Sequence, residues 1–252
     1  MPFEIVPRQI FSFLIVLATG AMLMLLPSVA SAAPDPGTAS KLPPPEVMQS
    51  RMWKVLRNSK FELTGSLETS GGKSIPVIIT ARGADMVYSF PKNNLELQLR
   101  ITDSGSTLRR RTSPSEAWKD VPNSERNTPI FGSDILYADL VMDFLLWDET
   151  KPVGTDTIKT VPCYAYDARI PGNIKTDIAS VRYWVSSEHS AVIRADAMNS
   201  KGEIIRRVEI NGVSYIDKTP VMKEMLISTL IPGRDLSSSR SWIKVSHSKI
   251  LQ

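Results

Sequence analysis

The spacing of apolar residues changes period several times along the chain, and each change marks an element. Over residues 46–58, Val47, Met52, Val55 and Leu56 recur near helical spacing with Trp53 beside them and proline just upstream, which predicts one amphipathic helix. The period then drops to two. Phe61, Leu63, Gly65 and Leu67 alternate with polar residues, Gly71-Gly72 supplies a turn, and Ile75, Val77 and Ile79 resume. That pattern predicts a hairpin, with Pro76 at an edge or a strand start because it cannot donate to a ladder. Residues 86–90 and 95–101 follow, the latter with Leu95, Leu97, Leu99 and Ile101 separated by Glu96, Gln98 and Arg100. Such alternation turns one face to an apolar interior and the other to water.

Residues 112–130, with three prolines and many polar residues, predict a long surface loop. A second helix is expected over residues 135–147, capped by Asp134, with Leu136, Leu140, Phe144 and Trp147 on one face and Asp139 and Asp143 on an outward polar one. Strand patterns return at 155–158, 161–170, 180–186, 191–198, 203–211, 213–229 with a break possible at Pro220, and 240–246. Asn199-Ser200-Lys201-Gly202 is a polar turn, and Asn211-Gly212 is a strong tight-turn signal. The fold class expected is mainly β (α+β): about eleven strands in one antiparallel sheet, curled or closed, with two or three helices packed on it.

The N-terminus adds a location. Arg8 precedes an apolar run over residues 10–26, then Pro27 and the small residues Ser28, Val29, Ala30, Ser31, Ala32 and Ala33. This is the order of a secretory signal peptide over residues 1–32, cleaved after Ala32 or, alternatively, Ala33. A retained membrane anchor is the competing reading, since the run is just under the roughly 18 apolar residues that suggest a spanning helix. With no cysteine ending the run, a lipidation site is lacking. Residues 33–45, rich in Pro, Ala, Gly and Ser, read as a linker, so the domain covers 46–252, large enough to bury a core without staples.

Cys163 is the sole cysteine, which excludes an intramolecular disulfide framework and a multi-thiolate zinc site. A net charge of +4 is modest, and Arg109-Arg110-Arg111 is the only dense basic cluster, so no nucleic-acid partner is expected. Candidate chemistry is sparse. Ser70-Gly71-Gly72-Lys73 and Ser246-His247-Ser248-Lys249 match a Ser-x-x-Lys spacing without its companion motifs, and His189 and His247 are not at metal-ligand spacing. Asp139 and Asp143 sit four apart, where an acid and base pair or a cation site is conceivable and a solvated helix face is the simpler account. The expectation is a protein that is not an enzyme, with no cofactor and no metal.

The run Phe131-Gly132-Ser133-Asp134 followed by Tyr137-Ala138-Asp139-Leu140 resembles a segment of bacterial outer-membrane lipoprotein-sorting proteins of the LolA-like kind. Pro162-Cys163-Tyr164, the stretch from Tyr166 to Pro171, and Trp184-Val185 look like later strands of that family. So do Arg194, the Asn199 to Gly202 turn, Arg206, Arg207 and Pro220. Two departures from the pattern touch a turn more than the fold: Ser186 stands where an acidic residue is common, and a proline usual before Arg194 is missing.

The resemblance implies a half-open curved antiparallel β-barrel whose apolar concave face is covered by helices and holds acyl chains. The expected function is therefore periplasmic binding or sorting of an acylated lipoprotein or phospholipid, with a membrane partner protein. The alternative is a non-catalytic envelope module that docks a protein partner through an exposed sheet edge or the helical surface; for the interior, the alternative to a cavity is a fully packed core. Interior residues expected to line the site are Phe61, Leu63, Leu97, Leu99 and Ile101 from strands, with Leu140 and Phe144 from the covering helix.

Overall fold

Two meanders, one from each half of the chain, meet where the first strand pairs with the last. The computed structural model describes residues 42–102, 105–172, 176–216 and 219–251. The expected signal peptide and the linker as far as Lys41 lie outside the described residues. The N-terminal meander comprises β1 (Lys60–Thr69), β2 (Ser74–Arg82), β3 (Asp85–Phe90), β4 (Leu95–Thr102), β5 (Gly105–Arg111) and β6 (Lys119–Asp120). The C-terminal one comprises β7 (Thr150–Ile158), β8 (Val161–Arg169), β9 (Ser180–Ser186), β10 (Val192–Met198), β11 (Ile204–Ile216), β12 (Thr219–Leu230) and β13 (Ser237–Ile250). The order β6-β5-β4-β3-β2-β1-β13-β12-β11-β10-β9-β8-β7 makes one antiparallel, curved, open sheet.

Register carries the alternation across the sheet. Leu63 sits opposite Ile79, Tyr88 opposite Leu97, Leu99 opposite Leu108, Met225 opposite Ile243 and Ala195 opposite Val208, so one apolar face runs through both meanders. At the seam, Gly65 lets β13 come close: a Cβ there would lie 1.9 Å from the Lys244 carbonyl oxygen.

The inner face is covered from two directions. Helix α1 (Pro45–Arg57), with proline at its first turn, buries Met48, Met52 and Trp53. Leu42 is buried and the Pro43 carbonyl accepts a hydrogen bond from the Tyr166 hydroxyl at 2.8 Å, so the end of the expected linker is part of the packed domain. Between the meanders, a cover segment contributes Ile130, Ile135, Leu140 and Leu145 to the same core. A smaller cluster of Ile158, Cys163, Ala165, Trp184 and Ile193 packs apart from it. Burial pushes the Cys163 thiol pKa up, which leaves it a small hydrophobe.

Several expectations need correction. The described residues hold thirteen strands rather than about eleven, because β5 and β6 occupy ground read as polar sequence and loop. Asn211-Gly212 makes no turn: β11 runs through it as a bulge facing Glu224, and the reversal comes after Ile216. The second helix is short. Helix α2 spans only Tyr137–Val141, since Met142 takes a left-handed φ of 50° and residues Asp143–Leu146 continue as a 3-10 turn. Asp134 does not cap it, and Asp139 and Asp143 do not form a solvated face.

Candidate functional site

The cover segment is held to the sheet by partly buried polar contacts from residues the sequence pattern had singled out. Asp134 accepts hydrogen bonds from Thr229 Oγ1 at 2.7 Å and Ser241 Oγ at 2.8 Å, and from the Ser239 hydroxyl, while its own N–H donates to Ser241 Oγ at 2.8 Å. Asp139 accepts the Leu136 N–H at 2.6 Å and is clasped by Arg206 of β11, whose Nε donates at 2.9 Å and whose second nitrogen donates to the same carboxylate and to the Asp134 carbonyl. Asp143 accepts from Ser106 of β5 at 3.1 Å and pairs with Arg126. These carboxylates anchor the segment. They leave no acid and base pair free for catalysis, and the positions of Gly132, at φ 73°, and Phe131, at φ 52°, set the turn that aims them.

Beneath this cover lies a cavity of about 480 Å³, within the range of small-molecule sites. Its floor is the inner face of β9 to β12: Val181, Ala195, Ala197, Val208, Ile210 and Met225. Its roof is Met142, Phe144 and Trp147, and Ile170, Thr176 and Ile178 close one side. A polar wall comes from Asn123, Ser124, Arg126 and Asn127. The space has a simple origin. β10 presents two alanines inward where the N-terminal meander presents leucines and isoleucines, and the cover ends its helix after five residues, so neither surface reaches the other.

Of the seven residues expected to line the interior, Phe144 lines the cavity. Leu63, Leu97, Leu99, Ile101 and Leu140 are buried in the solid part of the core, with Phe61 half-buried against it. The alternation placed them on the inner face, and the strongest alternation belongs to the filled half. The residues missed are those of the floor, where Ala195 and Ala197 carry little hydrophobic signal, and Arg206, whose partner Asp139 lies 67 positions away.

Next to the cavity, Tyr183 stacks on Tyr166 with ring centroids 5.4 Å apart and meets Phe144 at 5.3 Å. The Tyr183 hydroxyl is buried without a hydrogen-bond partner among the described residues, and burial raises its pKa. The Ser70 to Lys73 motif is a hairpin turn, with Lys73 donating to the Phe131 carbonyl at 2.6 Å, and His247 is exposed on β13. Among the described residues no group of three or more His, Cys, Asp or Glu is placed to hold a metal ion, and no helix is long and apolar enough to cross a membrane. The arrangement can enclose an apolar chain.

A family model described as an uncharacterized protein matches residues 114–247, more than half of the chain. The chain belongs to that family. Solved structures supply the fold. A DUF1329 family protein from Desulfovibrio piger is similar, with a TM-score of 0.61, 14% identity and coverage of 84% of this chain and 93% of that one. A putative outer membrane lipoprotein-sorting protein domain from Vibrio parahaemolyticus is similar at TM-score 0.64, 12% identity, 84% and 93%. A LolA superfamily protein from Nitrosomonas europaea matches at TM-score 0.54, 11% identity, 85% and 94%. No curated protein sequence matches the chain. The fold is therefore LolA-like, and in this LolA-like sheet the family match covers the whole cover segment and every strand that floors the cavity.

Proposed function

We propose that this protein is an exported, periplasmic carrier that holds an acyl chain of a lipid or lipoprotein in the cavity under β9 to β12, by burial and without chemistry. The observation that carries the reading is the cavity itself: apolar floor and roof on the inner face of the sheet, with polar groups on one wall. Each methylene transferred from water into such a space contributes about 0.8 kcal/mol. An acyl chain therefore binds usefully and still leaves, as a carrier requires. The ionised groups of the wall are already paired, Arg126 with Asp143 and Arg206 with Asp139, so the polar wall orients a ligand more than it attracts a charge. The lipoprotein-sorting description of the Vibrio relative and the signal-like N-terminus support the envelope setting.

The test is a titration with an environment-sensitive fluorescent fatty acid. Wild type is expected to bind about one probe per chain, and Ala197→Trp, which fills the floor, to lose binding while keeping its fold. Equal binding by the two proteins contradicts the reading.

A further inference from the structure

We propose that Asp143 sets which end group the cavity accepts: by neutralising Arg126 it makes the polar wall take an acyl chain joined through an uncharged ester or amide and turn away a free carboxylate. The inference rests on the carrier reading and assigns the selectivity of that same cavity.

Floor and roof are apolar, so the first polar group of a bound chain has one place to go, the wall of Asn123, Ser124, Arg126 and Asn127. A short 3-10 turn, Asn123–Glu125, and the residues after it build this wall. Asn123, Ser124 and Asn127 are exposed at its rim, whereas the Arg126 side chain is only 16% exposed.

Both cations that line the cavity have their own carboxylate. Nη1 of Arg126 donates to Asp143, and Arg206 clasps Asp139. Ser106 Oγ donates to the other Asp143 oxygen at 3.1 Å, which fixes that carboxylate beside Arg126, and the neighbouring Glu125 is itself taken by Arg110. The charges cancel, yet donors remain. Arg126 spends one N–H on Asp143, and its Nε is buried with no hydrogen-bond partner among the described residues. A buried donor in that state is unfavourable and calls for an acceptor oxygen.

Such a wall distinguishes two acyl ligands that fill the cavity alike. An ester or amide carbonyl accepts a hydrogen bond and brings no charge. A carboxylate must shed water to enter, finds each arginine already matched, and meets Asp139 and Asp143 as like charges. An unopposed arginine would reverse that order, because arginine and carboxylate pair strongly. Asp143 therefore decides it.

The test is displacement of the environment-sensitive fluorescent fatty acid by two competitors of equal chain length, monolauroylglycerol and laurate, below their micelle-forming concentrations. At about pH 7.5 laurate is ionised. The ratio of their half-displacing concentrations within one protein does not depend on how tightly that protein holds the probe. Wild type is expected to favour the ester by about tenfold. Asp143→Asn keeps the side chain's size and leaves Arg126 unopposed, so laurate should gain about tenfold and the preference should vanish. Ser124→Lys adds a charge at the exposed rim without touching the pair, and the same shift is expected there. A wild-type ratio near one, or an unchanged ratio in folded Asp143→Asn protein, overturns the proposal and leaves the carrier reading standing, since the probe is still displaced. Should Asp143→Asn fail to fold, an unchanged ratio in Ser124→Lys overturns it instead. A probe that neither competitor displaces overturns the carrier reading and this proposal with it.

Discussion

Removing the Asp139 carboxylate is predicted to be among the most damaging single changes in this protein. Its side chain is 9% exposed and that of Arg206 is 12% exposed, so the pair lies in a poorly hydrated place between cover and sheet. Asp139→Ala leaves the Arg206 charge buried and unpaired, at a cost of about 3–5 kcal/mol. It also strips the Leu136 N–H of its acceptor, which adds about 1 kcal/mol. The two costs together, about 4–6 kcal/mol, are a large share of the roughly 5–15 kcal/mol that keeps a domain folded. Followed by far-ultraviolet circular dichroism in urea, with a slope near 2 kcal/mol per molar, the midpoint should fall by about 2–3 M. Replacing both partners, as Asp139→Leu with Arg206→Met, should recover at least half of that loss, because no charge is left behind. A loss for Asp139→Ala below about 1 kcal/mol, the worth of an exposed pair, refutes the reasoning. So does a double variant as unstable as the single one.

Three further outcomes follow from the same structure. Gly65→Ala should fail to fold or lose several kcal/mol in denaturant melts, since its new Cβ would meet the Lys244 carbonyl oxygen at 1.9 Å and that backbone is fixed by pairing on both sides. Leu97→Ala should cost about 2–5 kcal/mol yet leave fatty-acid affinity unchanged, because Leu97 is core rather than cavity wall. Burial raises the phenols of Tyr88 and Tyr166 from 10.0 to about 12, so the folded state keeps protons that the unfolded state has released. Stability is then full below pH 10 and falls as pH climbs toward about 12. Absorbance titration near 295 nm alongside circular dichroism should show ionisation coinciding with unfolding.

Much of the sheet was legible because one face is wet. Leu95, Leu97, Leu99 and Ile101 alternate cleanly with polar residues, and that period decides which side is inward. β5 escaped because its single buried apolar residue is Leu108, with Arg109 and Arg111 on one face and Arg110 satisfied by Glu125 on the other. Asn211-Gly212 carried a turn signal that is purely local, and pairing of Ile210 with Met225 and Val213 with Met222 on either side overrode it as a bulge. In the cover segment, the four, four, three spacing of apolar residues marked a stripe of which Leu140 is buried while Leu136, Phe144 and Trp147 are half-buried, and the buried positions Tyr137, Val141 and Leu145 fell outside it. It gave no warning of the left-handed Met142 that divides it.

The site was less legible than the fold. A cavity is made by what is missing, here bulk at Ala195 and Ala197, and small residues in a strand do not announce whether a neighbour fills the gap. The motif around Phe131 to Leu140 was visible as a resemblance, but its physical meaning was not. Asp134 and Asp139 reach Ser239, Ser241 and Arg206, partners far along the chain that only the completed sheet brings to them.

Whether the cavity carries an acyl chain is decided by native mass spectrometry, with solvent extraction, of the protein recovered from a bacterial periplasm. Bound phospholipid or acylated peptide is expected at about one per chain, and none on the Ala197→Trp protein. A ligand-free mass that stays unchanged after incubation with lipids would contradict the carrier reading.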